Sequence, residues 1–140
     1  MNIIVTGPNG GLVPSDLSCE VSRAVRNFSH QLGIQRLKTN ILVKVHQKLF
    51  IDNDFAEGLC ESIDKRNFVI DIGLFSNWVV NLAHEMVHVK QFARHELSIC
   101  GLRWKSRNWP DTDYWEEPWE KEARRLQHKL AINFSKEEWA

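Results

Sequence analysis

"NLAHEMVHVKQ", residues 81–91, sets two histidines four positions apart, His84 and His88, with Glu85 directly after the first. It reads either as a metal-binding helix or as a core helix with two hydrogen-bonded histidines. The wider stretch "SNWVVNLAHEMVHVKQFARHEL" (76–97) has no Pro or Gly inside it, and Val79, Ala83, Met86 and Val87 form an apolar stripe. That pattern predicts an α-helix capped by Ser76 or Asn77. Residues four apart share a helix face, with Cβ atoms roughly 5–6 Å apart. His84 and His88 can therefore aim ring nitrogens at one ion at the ~2.0–2.1 Å bond length zinc requires. Glu85 lies about 100° further round. That offset is poor for co-ligation but suits a carboxylate that hydrogen-bonds an activated water and takes its proton.

A catalytic zinc site normally uses three protein ligands and keeps one position open. His95 follows His88 by seven residues, a rise of roughly 10 Å if the helix continues, which is too far to share an ion. No glycine breaks the intervening "VKQFAR", so His95 is expected on the surface near the helix end. Carboxylates crowd the region 111–122 instead: Asp111, Asp113, Glu116, Glu117, Glu120 and Glu122. Pro118 suits the first position of a last helix, with Trp119, Ala123, Leu126 and Leu130 facing inward. Glu120 and Glu122 both flank that inward line, and wheel geometry does not choose between them. Acidic residues also gather at helix starts for electrostatic reasons alone.

The rest of the chain predicts a small α+β domain spanning 1–140. Residues 2–6 read as a short strand closed by the turn "GPNGG" (7–11), which lacks the GK[ST] ending of a phosphate loop. Leu17, Val21, Val25, Phe28 and Leu32 recur at helical spacing, with Ser15 or Asp16 as cap and Gly33 as stop. "NILVKVHQKLF" (40–50) reads as one strand and "DNDFAEG" (52–58) as turn chemistry. "GLCESI" and "NFVIDIGLF" flank "DKRN" (64–67) as a hairpin. Residues 102–117 hold Trp104, Trp109, Trp115 and the only tyrosine, Tyr114, with little periodicity.

Lys plus Arg and Asp plus Glu both total 18, so the net charge is zero and gives no clear nucleic-acid or anionic-membrane signal. The basic runs 103–107 and 124–129 fit solvated faces. Cys19, Cys60 and Cys100 are odd in number and scattered, against a disulfide framework or a thiolate metal site. No signal peptide and no ~20-residue apolar span is visible. A reducing, cytoplasmic setting is the expectation.

"HEMVHVKQ" together with "YWEEPWEKEA" (114–123) resembles the small gluzincin-type HExxH zinc metallopeptidases, in particular short ones of bacteria and phages. The resemblance covers roughly 15–132, although its specific motifs occupy few positions. It implies a minimal zincin-like core: an N-terminal helix, a small, mostly antiparallel sheet, the HExxH helix and a third-ligand helix. It also implies Glu120, first residue of the "EKEA" motif, as the third ligand beside His84 and His88, with Glu122 the alternative. Related enzymes often carry an aspartate after that alanine to support a histidine; here Arg124 stands there, leaving the supporting residues unassigned. The implied activity is zinc-dependent peptide hydrolysis, with Glu85 activating water. Strand "NFVIDIG" (67–73) is expected at the sheet edge, where a peptide or protein substrate can pair with it. Tyr114 and His128 are the candidate oxyanion donors. The competing readings are a zincin-like module without proteolysis, a hydrolase of DNA-bound proteins, and a hydrolase of cell-wall peptides. Substrate and oligomeric state are not legible.

Overall fold

The computed structural model describes residues 1–98, 103–109 and 112–139. Cys100 and Asp111 lie outside them. The first helix, α1 (Ser15–Gln31), arises from the predicted apolar stripe: Val21, Val25 and Phe28 are fully buried, with Ala24 beside them, and Leu17 is half-buried. Neither Ser15 nor Asp16 caps it. Pro14 holds the cap position without a side-chain bond, and Asp16 sits in the first turn, where a negative charge favours the helix dipole. Gly33, at φ +72°, ends the helix in a left-handed conformation that costs glycine little.

The four strands of the main sheet run in the order β1 (Asn2–Thr6), β2 (Asn40–His46), β6 (Asn67–Gly73), β5 (Gly58–Ser62). The α+β class holds, but the expectation of a mostly antiparallel sheet does not for these strands. β1 pairs β2, and β2 pairs β6, in parallel; only β5–β6 is antiparallel. The cause was visible in the order of elements: α1 is a crossover connection, and strands joined by a crossover run parallel. Alternation places Ile41, Val43, Val45, Phe68, Ile70 and Ile72 in the core.

The predicted strand 40–50 is two strands. It breaks after His46, and β3 (Leu49–Ile51) pairs with β4 (Asp54–Ala56) in a separate hairpin. Asp52 and Asn53, both at positive φ, make its two-residue turn. Within the predicted 52–58, turn structure is limited to Asp52–Asn53 and a bend at Glu57. The β5–β6 hairpin forms as expected, its turn held by Asp64 Oδ1 accepting from the backbone N–H groups of Arg66 and Asn67. Strand β6 is not the sheet edge. It lies between β2 and β5, and β5 is the edge strand on that side.

The decisive helix, α2 (Trp78–Ala93), is capped by Asn77, whose side chain accepts from the Val80 N–H. It packs on the sheet, on α1 and along α3 (Pro118–Trp139). Trp119, Ala123, Leu130 and Phe134 of α3 are buried and Leu126 is half-buried. Trp104 and Trp119 join Leu97 in a small satellite core. Trp104 lies on the short strand β7 (Arg103–Trp104), paired with β8 (Arg107–Asn108). No helix among the described residues is long and apolar enough to cross a membrane.

Candidate metal centre

Helix α2 is buried almost all round, so both histidines leave it on faces already committed to neighbours. His84 and His88 point toward the first turn of α3, their ring centroids 5.0 Å apart. Glu120 enters between them: its Oε1 lies 3.0 Å from His84 Nε2 and 2.9 Å from His88 Nε2. The two ring nitrogens and the carboxylate oxygen lie within 4.8 Å of one another and could hold one metal ion. Glu85, 6% exposed, leaves the helix toward edge strand β5. It fits because residue 58 is glycine, where a Cβ would come within 2.8 Å of Glu85 Oε2.

Without a metal, the group is a pair of imidazoles sharing one carboxylate. Burial alone would push His88 down, but the Glu120 hydrogen bond and the charge of Glu85 outweigh it and hold His88 up at about 9. His84 is raised against the same burial, again by Glu120 and Glu85. Burial would lift Glu120, yet bonds from both histidines bring it down to about 2. Glu85 has no such bonds, so burial pushes it up, partly opposed by the two histidines.

The cluster opens into a cleft of two hollows, about 270 and 230 Å³, that share Gly58, His84, Glu85 and Tyr114 as walls. The first continues over Asn81 and Gln127, the second over Leu59, Phe92 and Trp119. A larger hollow of about 600 Å³ between the start of α2 and the far half of α3 is lined by Val79, His128 and Ile132. It contains none of the clustered acid–base groups.

The chain matches no known protein family, no curated protein and no solved structure. Geometry therefore carries the functional reading.

The structure brings together four sequence-predicted residues: His84, Glu85, His88 and Glu120. Glu122, the alternative ligand, is engaged elsewhere. It accepts from Lys90 Nζ at 3.0 Å and from Gln91 Nε2 at 3.1 Å. Glu116 is paired with Lys121 on the surface. His95 is exposed, at φ +59°, just past the helix end. Tyr114 reaches the cleft, and burial together with Glu120 and Glu85 pushes its phenol up to about 12. His128 lines the larger hollow instead.

Three contributors were missed in the sequence. Gln91 Oε1 lies 2.7 Å from His88 Nδ1, and Gln127 Oε1 lies 2.6 Å from His84 Nδ1. Both signals were present, since Gln91 is one helical turn after His88 and Gln127 two turns after Glu120. Gly58 gave no signal, because its partner lies in a distant element. Arg124 serves another purpose: it donates to Trp115 O at 2.7 Å and stacks 4.4 Å from the Trp115 ring centroid. It thus ties the 3₁₀ turn Tyr114–Glu116, which carries Tyr114, to α3.

Proposed function

We propose that this protein is a zinc-dependent metallopeptidase with a minimal zincin-like core, its metal held by His84, His88 and Glu120. One observation carries the reading: two imidazole nitrogens and a buried carboxylate oxygen converge beside a fourth acid–base group, Glu85, at the wall of an open cleft. The donor set suits zinc, which takes imidazole nitrogen and carboxylate oxygen in catalytic sites. The succession of α1, small sheet, α2 and α3 follows the order the resemblance implies, although two of the three strand pairings in the main sheet are parallel.

A zinc ion held by His84, His88 and Glu120 would supply Lewis acidity near neutral pH. The protein's residues do the rest. Glu85 takes the proton of the attacking water and returns it to the leaving amine, a task suited to a carboxylate whose pKa burial has raised. Tyr114 keeps its proton across the neutral range and can donate it in a hydrogen bond to the developing oxyanion. Edge strand β5, beside Glu85, offers free backbone groups to an extended peptide.

The test is elemental analysis of wild type, His88→Ala and Glu120→Ala, with proteolysis assayed for wild type and Glu85→Gln. About one zinc per wild-type chain, lost or weakened in both ligand variants, with cleavage abolished by Glu85→Gln, is the expected result. Zinc without Glu85-dependent cleavage would favour a binding module, and no zinc after metal addition would end the metallopeptidase reading.

A further inference from the structure

Two contacts behind the ring nitrogens that face Glu120, one buried and one part-buried, bear on how this centre is built. Gln91 is fully buried on α2, where an amide is costly unless all its polar atoms are partnered. They are. Its Nε2 donates to Trp119 O at 2.9 Å and to Glu122 Oε1 at 3.1 Å. Both partners can only accept, so the amide cannot be turned over, and Oε1 must face His88 Nδ1. An amide oxygen only accepts, so His88 Nδ1 must carry a proton. Glu122 is itself fixed by Lys90, which also pairs with Glu96 at 2.7 Å. At the other histidine, Gln127 Oε1 faces His84 Nδ1.

We infer that Gln91 and Gln127 are the positioning residues of the metal centre, each holding one histidine as the Nδ1–H tautomer so that Nε2 is presented to the ion. The inference rests on the metal-binding reading and goes beyond it by assigning which nitrogen binds and what fixes it. Two neutral amides also make chemical sense here. Glu85 and Glu120 already place two carboxylates around this hollow, and further buried carboxylates behind the histidines would add like-charge repulsion before any ion arrives. Amide oxygens provide the acceptor and its direction without that charge. The cost is a less basic imidazole than a carboxylate partner would produce.

Gln127 is half-buried and can be changed without opening the core, so it carries the test; Gln91 also holds Trp119 O, and its loss threatens the fold. Zinc affinity is measured by competition with a chromophoric chelator for wild type, Gln127→Ala, Gln127→Glu and His88→Ala, alongside melting of each metal-free protein. Gln127→Ala should bind zinc at least ~10-fold more weakly while its metal-free form melts as wild type does. Gln127→Glu, which keeps an acceptor, should bind at least as tightly as wild type. Ring ¹⁵N correlations of the zinc-loaded wild type should show protonated Nδ1 and metal-bound Nε2 at both histidines. Nδ1 ligation, or unchanged affinity in Gln127→Ala while His88→Ala loses zinc, overturns this inference alone. No zinc binding by wild type overturns it together with the metallopeptidase reading.

Discussion

Glu85 depends on the absence of a side chain 27 positions earlier in the chain. A methyl group at residue 58 would lie 2.8 Å from its Oε2 and 3.0 Å from its Cγ, and both residues line the same cleft. The carboxylate must move away from that contact, because Gly58 begins a hydrogen-bonded strand whose backbone resists displacement. His84, His88 and Glu120 make no such contact. Gly58→Ala should therefore retain zinc at wild-type stoichiometry while losing about 100-fold in Glu85-dependent cleavage, the usual scale for a misplacement near 1 Å. Metal analysis and a peptide-cleavage assay on the same preparation check this. Loss of metal along with activity would mean that Gly58 supports the ligands rather than the base. No reading of the sequence could have found Gly58, since its importance depends on how close β5 comes to α2.

Two helices meet at the site, and the charges that join them differ in sign and in pH range. His88 on α2 is raised from 6.5 to about 9, so in the metal-free protein its contribution is complete below about pH 6.5 and is lost as pH rises through 9. Glu120 on α3 is lowered from 4.5 to about 2, so its contribution is present above about pH 4.5 and is lost as pH falls through 2. Glu85, raised by burial, contributes fully below about pH 4.5 and loses that contribution as pH rises through its raised folded value, so it acts in the same direction as His88. The metal-free protein should therefore melt highest between roughly pH 4.5 and 6.5 and progressively lower toward pH 9. Thermal melts in excess chelator across that range give the answer, and a flat profile would show that the α2–α3 contact does not depend on these protons. Zinc should reverse the alkaline trend, because the ion displaces the Nε2 protons that rising pH removes. At this scale the sequence was partly legible. The periodicity of 76–97 and of 118–130 located both helices and the faces that meet. Glu120 could not be separated from Glu122 on a wheel, because both flank the inward line. What separates them is a partner from another element: Lys90 and Gln91 of α2 take Glu122.

Across the whole molecule, the proposed ligands bring a late helix of the chain against its middle. His84 and His88 sit on a helix packed against the sheet, while Glu120 opens a helix that runs back along α2 and reaches α1. The sheet was the part least readable in advance. Each strand showed its own alternation, but strand direction depends on which elements lie between strands, and the hairpin at 58–73 drew the expectation toward antiparallel pairing. The crossover through α1 determines the first pairing, and the insertion of β3–β4 before β5 leaves β6 free to lie beside β2. An ion binding two helices that lie far apart in sequence binds only the folded chain, so its affinity adds to stability by mass action. At a free zinc concentration 100 times the dissociation constant the gain is ~2.7 kcal/mol. For a chain of this size that corresponds to a rise in melting temperature of roughly 5–11 °C. Calorimetry of wild type with zinc and with chelator should show that shift, and Glu120→Ala should lose most of it while the metal-free forms remain folded. A shift of the same size in Glu120→Ala would place the stabilising ion elsewhere in the molecule, and the α2–α3 junction would then be held by hydrogen bonds alone.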